Sequence, residues 1–140
     1  MDRKEFLSTI GLTSTSLLLT CLGCSKGNSS SARVPTPPIS VDFSIDLTAA
    51  ANASLAQPGG YMAMNGVLVA HTTAGNYIAV QQSCTHENYP LVYQASVQHF
   101  YCANHSSNFS ESGAVLGGPA NSPLTVFKTA LTGNSLRVYS

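Results

Sequence analysis

Two short stretches carry residue types that bind soft metals. Cys84-Thr85-His86 and Cys102-Ala103-Asn104-His105 each hold a thiol and an imidazole, with fifteen residues between His86 and Cys102. Thiolate sulfur and imidazole nitrogen suit zinc, copper or iron–sulfur chemistry, whereas calcium and magnesium take oxygen ligands. A single Cys/His pair is commonplace. Two pairs flanking a segment long enough for a strand to leave and return let two loops present one thiolate and one imidazole each to a shared centre. Spacing alone leaves a structural zinc site open, because zinc accepts the same four ligands. The other histidines, His71 and His99, fall at the end of one apolar run and within another, and read as structural or surface residues.

The elements that must position these loops are short apolar runs separated by turn residues. Val41 to Leu47 alternates apolar with Asp and Ser, the period of a half-buried strand. Val67–Ala70 and Tyr77–Val80 flank Thr73-Ala74-Gly75-Asn76 and read as a hairpin. Leu91–Tyr93 and His99–Tyr101 form a second strand pair, and Leu124–Lys128 with Leu136–Tyr139 a third around Gly133-Asn134. Pro58-Gly59-Gly60 and Gly117-Gly118-Pro119 mark tight loops, and only Ala49 to Ala56 tolerates helix. The body is therefore expected to be all-β, a small antiparallel sandwich or barrel.

Before that body stand two segments of different character. Arg3 and Lys4 precede a modestly apolar stretch from Ile10 to Gly23, the pattern of a cleaved export signal. Its end, Cys21-Leu22-Gly23-Cys24, resembles a bacterial lipobox with Cys21 in place of the usual leucine, so Cys24 is the expected lipidated residue. Asp2-Arg3-Lys4-Glu5-Phe6-Leu7 also resembles a twin-arginine signal with lysine as the second basic residue. Residues 1–24 thus read as signal and anchor. Residues 25–38, rich in Ser and then Pro, read as an extended, mobile tether, and residues 39–140 as the working domain.

Composition narrows the function class. The 140 residues carry no net charge and only 9% Asp, Glu, Lys and Arg, so the basic patch that nucleic-acid binding requires is missing. From residue 39 onward two basic residues, Lys128 and Arg137, face four acidic ones, Asp42, Asp46, Glu87 and Glu111, a net −2.

The metal-ligand spacing, taken with its surroundings, resembles the Rieske iron–sulfur domain. C-x-H, fifteen residues and C-x-x-H match its two loops, and Gly113-Ala114-Val115-Leu116-Gly117-Gly118-Pro119-Ala120 is similar to the family's covering segment. Ser107 and the closing stretch Pro123-Leu124…Leu136-Arg137-Val138 fit as well. The resemblance implies a [2Fe–2S] cluster, with Cys84 and Cys102 on one iron and His86 and His105 on the other. It also implies a Rieske-type sandwich with two cluster-binding loops, and Ser107 and Pro119 lying next to the cluster.

Departures from the family pattern shape the functional expectation. The respiratory members' disulfide positions are Tyr89 and Asn104 here, so no such clamp forms, and Asn88 stands where glycine is usual. Phe109 stands where high-potential members often carry tyrosine. Hydrogen bonds to the cluster favour its more negative reduced state, and Ser107 can offer one while Phe109 cannot. The expected protein is a one-electron carrier, lipid-anchored on the extracytoplasmic side of a bacterial membrane and serving a redox-protein donor and acceptor. Its competitors are a subunit of a cytochrome bc-like or arsenite-oxidase-like membrane oxidoreductase, and a zinc-binding or degenerate binding lipoprotein.

Overall fold

The computed structural model describes residues 32–140. The expected signal, the lipobox-like Cys21 and Cys24, and the tether up to residue 31 lie outside the described residues. No helix among the described residues is long and apolar enough to cross a membrane.

Two antiparallel sheets make up the domain. Val41–Leu47 contributes β1 (Asp42–Asp46), which pairs with β10 (Ser135–Tyr139), itself the partner of β9 (Val126–Thr132). The hairpin expected around Gly75 forms from β3 (Val67–His71) and β4 (Tyr77–Gln81), in register Val67 to Gln81 and His71 to Tyr77. With β2 (Tyr61–Met64) on its outer edge, the large sheet has the order β1-β10-β9-β4-β3-β2. Between β4 and β9 the chain builds a second sheet from β5 (Val92–Gln94), β6 (His99–Cys102), β7 (Ser107–Ser110) and β8 (Val115–Gly117), in sequence order. The small sheet is thus an excursion between two neighbouring strands of the large one. Both Cys/His loops belong to that excursion.

Strand periodicity explains how the two sheets share a core. Every residue of β3 is buried, and its side chains alternate between two apolar groups. Val67 and Val69 pack with Ile45, Leu55, Phe127, Leu136 and Val138 on one side. Leu68 and Ala70 pack with Leu91, Tyr93, Phe100 and Phe109 on the other, in the group that includes Cys84 and Cys102. β4 divides in the same way, Ala79 to the first and Val80 to the second. The β3–β4 hairpin is therefore the wall between a structural core and the core beneath the loops.

The helix-tolerant stretch forms a 3-10 helix over Ala50–Ala56. Ala49 gives it no side-chain cap, and at seven residues it is short of the length at which α-helix sustains itself. The buried side chain of Asn52 instead donates to the Asp46 carbonyl at 2.8 Å. Leu55 enters the structural core. His71 takes up the carbonyl at its end: Nδ1 lies 2.8 Å from Leu55 O, and the ring stacks on Tyr77 at 4.3 Å.

Gln81 stitches the excursion to the large sheet. Its buried amide donates to Ser83 O at 2.6 Å and accepts the Thr125 N–H at 2.8 Å, while its own N–H donates to Thr125 O at 2.9 Å. The first Cys/His loop and β9, where the chain rejoins the large sheet, therefore begin from one fixed point.

Candidate metal centre

The two loops are conformational twins. In the first, the Cys84 carbonyl accepts the Asn88 N–H at 2.9 Å, and Asn88 adopts φ +57°. In the second, the Cys102 carbonyl accepts the Ser106 N–H at 2.9 Å, and Ser106 adopts φ +61°. Each loop is thus one turn closed from the cysteine to the residue four places on, which reverses the chain through the left-handed region. Asparagine tolerates that region because its short polar side chain can bond locally, so the turn forms with Asn88 where glycine is usual. The Cys84 N–H donates to Tyr89 O at 2.7 Å, and the Ser83–Pro90 bridge closes the first loop's base.

These turns sort the four candidate ligands by depth. Cys84 and Cys102 are each only 1% exposed and are both free thiols, whereas His86 and His105 are exposed. The imidazoles meet across the gap between the loops, Nδ1 to Nδ1 at 3.2 Å, with ring centroids 4.7 Å apart and planes nearly perpendicular. The structure therefore pairs the two imidazoles at the surface and sets both cysteines in the core group beneath the loops. His99 is elsewhere, bonded through Nε2 to Gln94 Oε1 at 3.0 Å.

The surroundings of Cys102 act on its sulfur in opposing directions. Burial pushes its thiol up, and the neighbouring Cys84 thiol, its hydrogen-bond partner, adds to that. The backbone N–H groups of Asn104 and His105 are aimed at Cys102 and act in the opposite direction. Such N–H groups match a metal-bound thiolate, whose negative charge they stabilise. Two buried thiols and two imidazoles held this way fit a centre with a sulfur-bound and a nitrogen-bound metal.

A third segment closes over the loops. Gly118, at φ +88°, approaches so closely that a Cβ there would lie 2.5 Å from Ser107 Cα and 2.6 Å from Ser106 O. Pro119 follows, exposed, and the next N–H, of buried Ala120, donates to Ser107 Oγ at 3.3 Å. Ser107 is fully buried, so its hydroxyl holds the covering segment and keeps its own hydrogen free to donate. Thr85 Oγ1 donates to Ser122 O at 2.7 Å, tying the same segment to the first loop. Phe109 is fully buried in the core group beneath and offers no polar atom.

Glu87 also belongs to the site, which the Cys/His spacing did not show. Ligand atoms of His86, Glu87 and His105 lie within 4.8 Å of one another, and Glu87 Oε2 is 3.9 Å from His105 Nε2. Its position next to His86 was the only available signal. Tyr89, in place of a possible disulfide partner, sets its ring edge-on to His105 at 5.7 Å.

Comparison with known proteins agrees with this arrangement. Residues 48–128 match the family model described as the Rieske [2Fe-2S] domain. No curated protein matches the sequence. Among solved structures, the chain is similar to the cyanobacterial plasma membrane Rieske protein PetC3 from Synechocystis PCC 6803. The identity is 27% and the TM-score 0.50, over 58% of this chain and 85% of that one. The ferredoxin of carbazole 1,9a-dioxygenase from Nocardioides aromaticivorans IC177 aligns at 21% identity with a TM-score of 0.52, over 61% of this chain and 90% of that one. At that identity the likeness concerns the fold.

Proposed function

Because the chain belongs to the Rieske [2Fe-2S] domain family, we propose that it is a one-electron carrier tethered by lipidated Cys24 to the extracytoplasmic face of a bacterial membrane. The family's cofactor is a [2Fe–2S] cluster, which supplies reversible one-electron chemistry when bound. In this reading Cys84 and Cys102 hold one iron and His86 and His105 the other.

One observation carries the electron-transfer reading: the depth order of the four ligands. The buried thiols sit in the core group of the small sheet, where solvent is excluded. The exposed imidazoles stand at the protein surface, where a redox partner can approach their edges. The twin turns fix the cysteine ends of both loops, and the Gly118–Ala120 segment shields the side next to Ser107. Nothing in this arrangement has to move for a partner to reach the histidines.

Membrane tethering is supported by the sequence, with its signal-like start and Cys21-Leu22-Gly23-Cys24, and by the likeness to a plasma membrane Rieske protein. A tethered carrier meets its partners at an effective concentration set by the tether, not by bulk diffusion. Two measurements test the proposal. Coulometric titration of iron-loaded protein is expected to take up one electron per chain; uptake of none contradicts the carrier. Cys24→Ala is expected to move the protein from the membrane pellet to the soluble fraction with its colour unchanged. Retention in the pellet contradicts the lipid anchor.

A further inference from the structure

The segment that leads into the domain does not simply end at it. Residues 32–38 carry no helix or strand, yet they are held at two points. At one end the Pro38 ring packs on Gly66, with its Cδ 3.0 Å from where a Cβ would stand. Gly66, at φ +77°, follows Asn65 at φ +53° in the β2–β3 turn, and the bare glycine gives the proline its seat. At the other end the Val34 N–H donates to the Asn88 carbonyl at 2.8 Å, on the left-handed residue of the first loop.

Arg33 then reaches the two residues on either side of Asn88. Its Nη2 is 3.4 Å from Glu87 Oε2, and its guanidinium lies 5.5 Å from the centre of the Tyr89 ring. Both of those residues in turn meet His105, Glu87 by its carboxylate and Tyr89 by its ring edge. The contacts form a continuous path from the incoming strap, through the first loop, to a ligand on the second. The two described cysteines are both free, so no disulfide joins the loops. Among the described residues, Arg33 is also the cation placed at this end of the domain: Lys128 lies over Tyr139, and Arg137 pairs with Asp42.

We propose that Arg33 and Val34 are positioning residues of the metal centre, forming a non-covalent brace that holds the first loop against His105 and supplies a positive charge beside it. The proposal rests on the cluster reading for its redox consequence, but the brace itself is a property of the polypeptide. A positive charge favours the more negative reduced state, so the strap raises the midpoint potential as well as steadying the loop.

The test uses full-length Arg33→Gln, Arg33→Lys and Val34→Pro. Val34→Pro removes the donor to Asn88 and keeps the extended backbone. Hydrogen exchange at the Cys84 and Asn88 amides is read in metal-free and iron-loaded protein. Arg33→Gln is expected to speed that exchange about three- to tenfold, the combined worth of an exposed ion pair and a cation–π contact. Val34→Pro is expected to speed it as well. In loaded protein the midpoint should fall in Arg33→Gln and return in Arg33→Lys, which a merely structural role would not produce. Unchanged amide exchange in both Arg33→Gln and Val34→Pro overturns the brace, and equal midpoints in the glutamine and lysine variants overturn its charge. Wild-type protein that takes up no iron would sink the cluster reading instead, while the exchange comparison still decides the brace.

Discussion

Gly118→Ala tests how tightly the covering segment is built against the second loop. The new Cβ would stand 2.5 Å from Ser107 Cα, 2.6 Å from Ser106 O and 2.8 Å from Ser107 N, all backbone atoms that cannot rotate away. Two costs combine. An L-residue in the left-handed region loses about 1–2 kcal/mol, and forcing a methyl into a filled space costs about 1–3 kcal/mol more. Gly75 provides the control: its φ is +87°, but nothing lies within 4 Å of a Cβ there. Gly75→Ala is therefore expected to lose only the first cost. Urea unfolding with an unchanged m-value gives both numbers. Gly118→Ala should lose about 2–5 kcal/mol, which in a domain of this size lowers the melting temperature by at least about 10 °C. It should also release metal faster, because the displaced Ser106–Ser107 backbone leads directly from Cys102 and His105. Equal losses in the two alanine variants would refute the close approach on which the covering role rests.

Three further expectations follow from the site and its core. Protein-film voltammetry should place the midpoint below about +300 mV, the upper end of the Rieske range, because Phe109 offers no hydrogen bond; a value near that limit contradicts the reasoning. Ser107→Ala should lower the midpoint with the cluster still bound, and should cost about 1–3 kcal/mol by leaving the Ala120 N–H without its acceptor. An unchanged midpoint would show that the hydroxyl donates elsewhere. Burial pushes the Tyr93 hydroxyl above the ordinary phenol range, and its hydrogen bond to Glu111 Oε1 at 2.5 Å and that carboxylate's charge push it further. Tyr93 should therefore ionise above the ordinary phenol range in a spectrophotometric pH titration, and Tyr93→Phe should leave the early part of that titration unchanged. An early phase lost in Tyr93→Phe contradicts the buried pair.

The parts of the fold legible in the sequence are those whose apolar residues alternate with polar ones or form short unbroken runs between turn residues. Val41–Leu47, Val67–Ala70, Tyr77–Val80 and His99–Tyr101 each put apolar residues on a buried face, and each became a strand. β7 escaped notice because Ser107 is buried through its bond to Ala120, so a polar residue occupies an inward position. β2 and β8 are four and three residues long, too short for a period to register. β9 runs on to Thr132 past the last buried residue, Phe127, held there by pairing with β10 and not by burial of its own side chains. At the site, residue type and spacing identified the four ligands, because soft-metal chemistry restricts the choice to Cys and His. Glu87 and Arg33 carry no such signature. Their role arises only when the chain entering the domain is laid across the first loop. A proline-rich composition sets the extended backbone of that strap but not the surface it meets.

The account stands on a [2Fe–2S] centre held by two buried thiols and two exposed imidazoles. Paramagnetic-resonance and visible spectra, with metal analysis, of protein matured in iron-sufficient cells test this most directly. The account predicts two irons and two acid-labile sulfides per chain. It also predicts a visible colour that bleaches on reduction, as a rhombic signal appears that is lost in His86→Ala and Cys102→Ala. Colourless protein holding one zinc on these residues would contradict it.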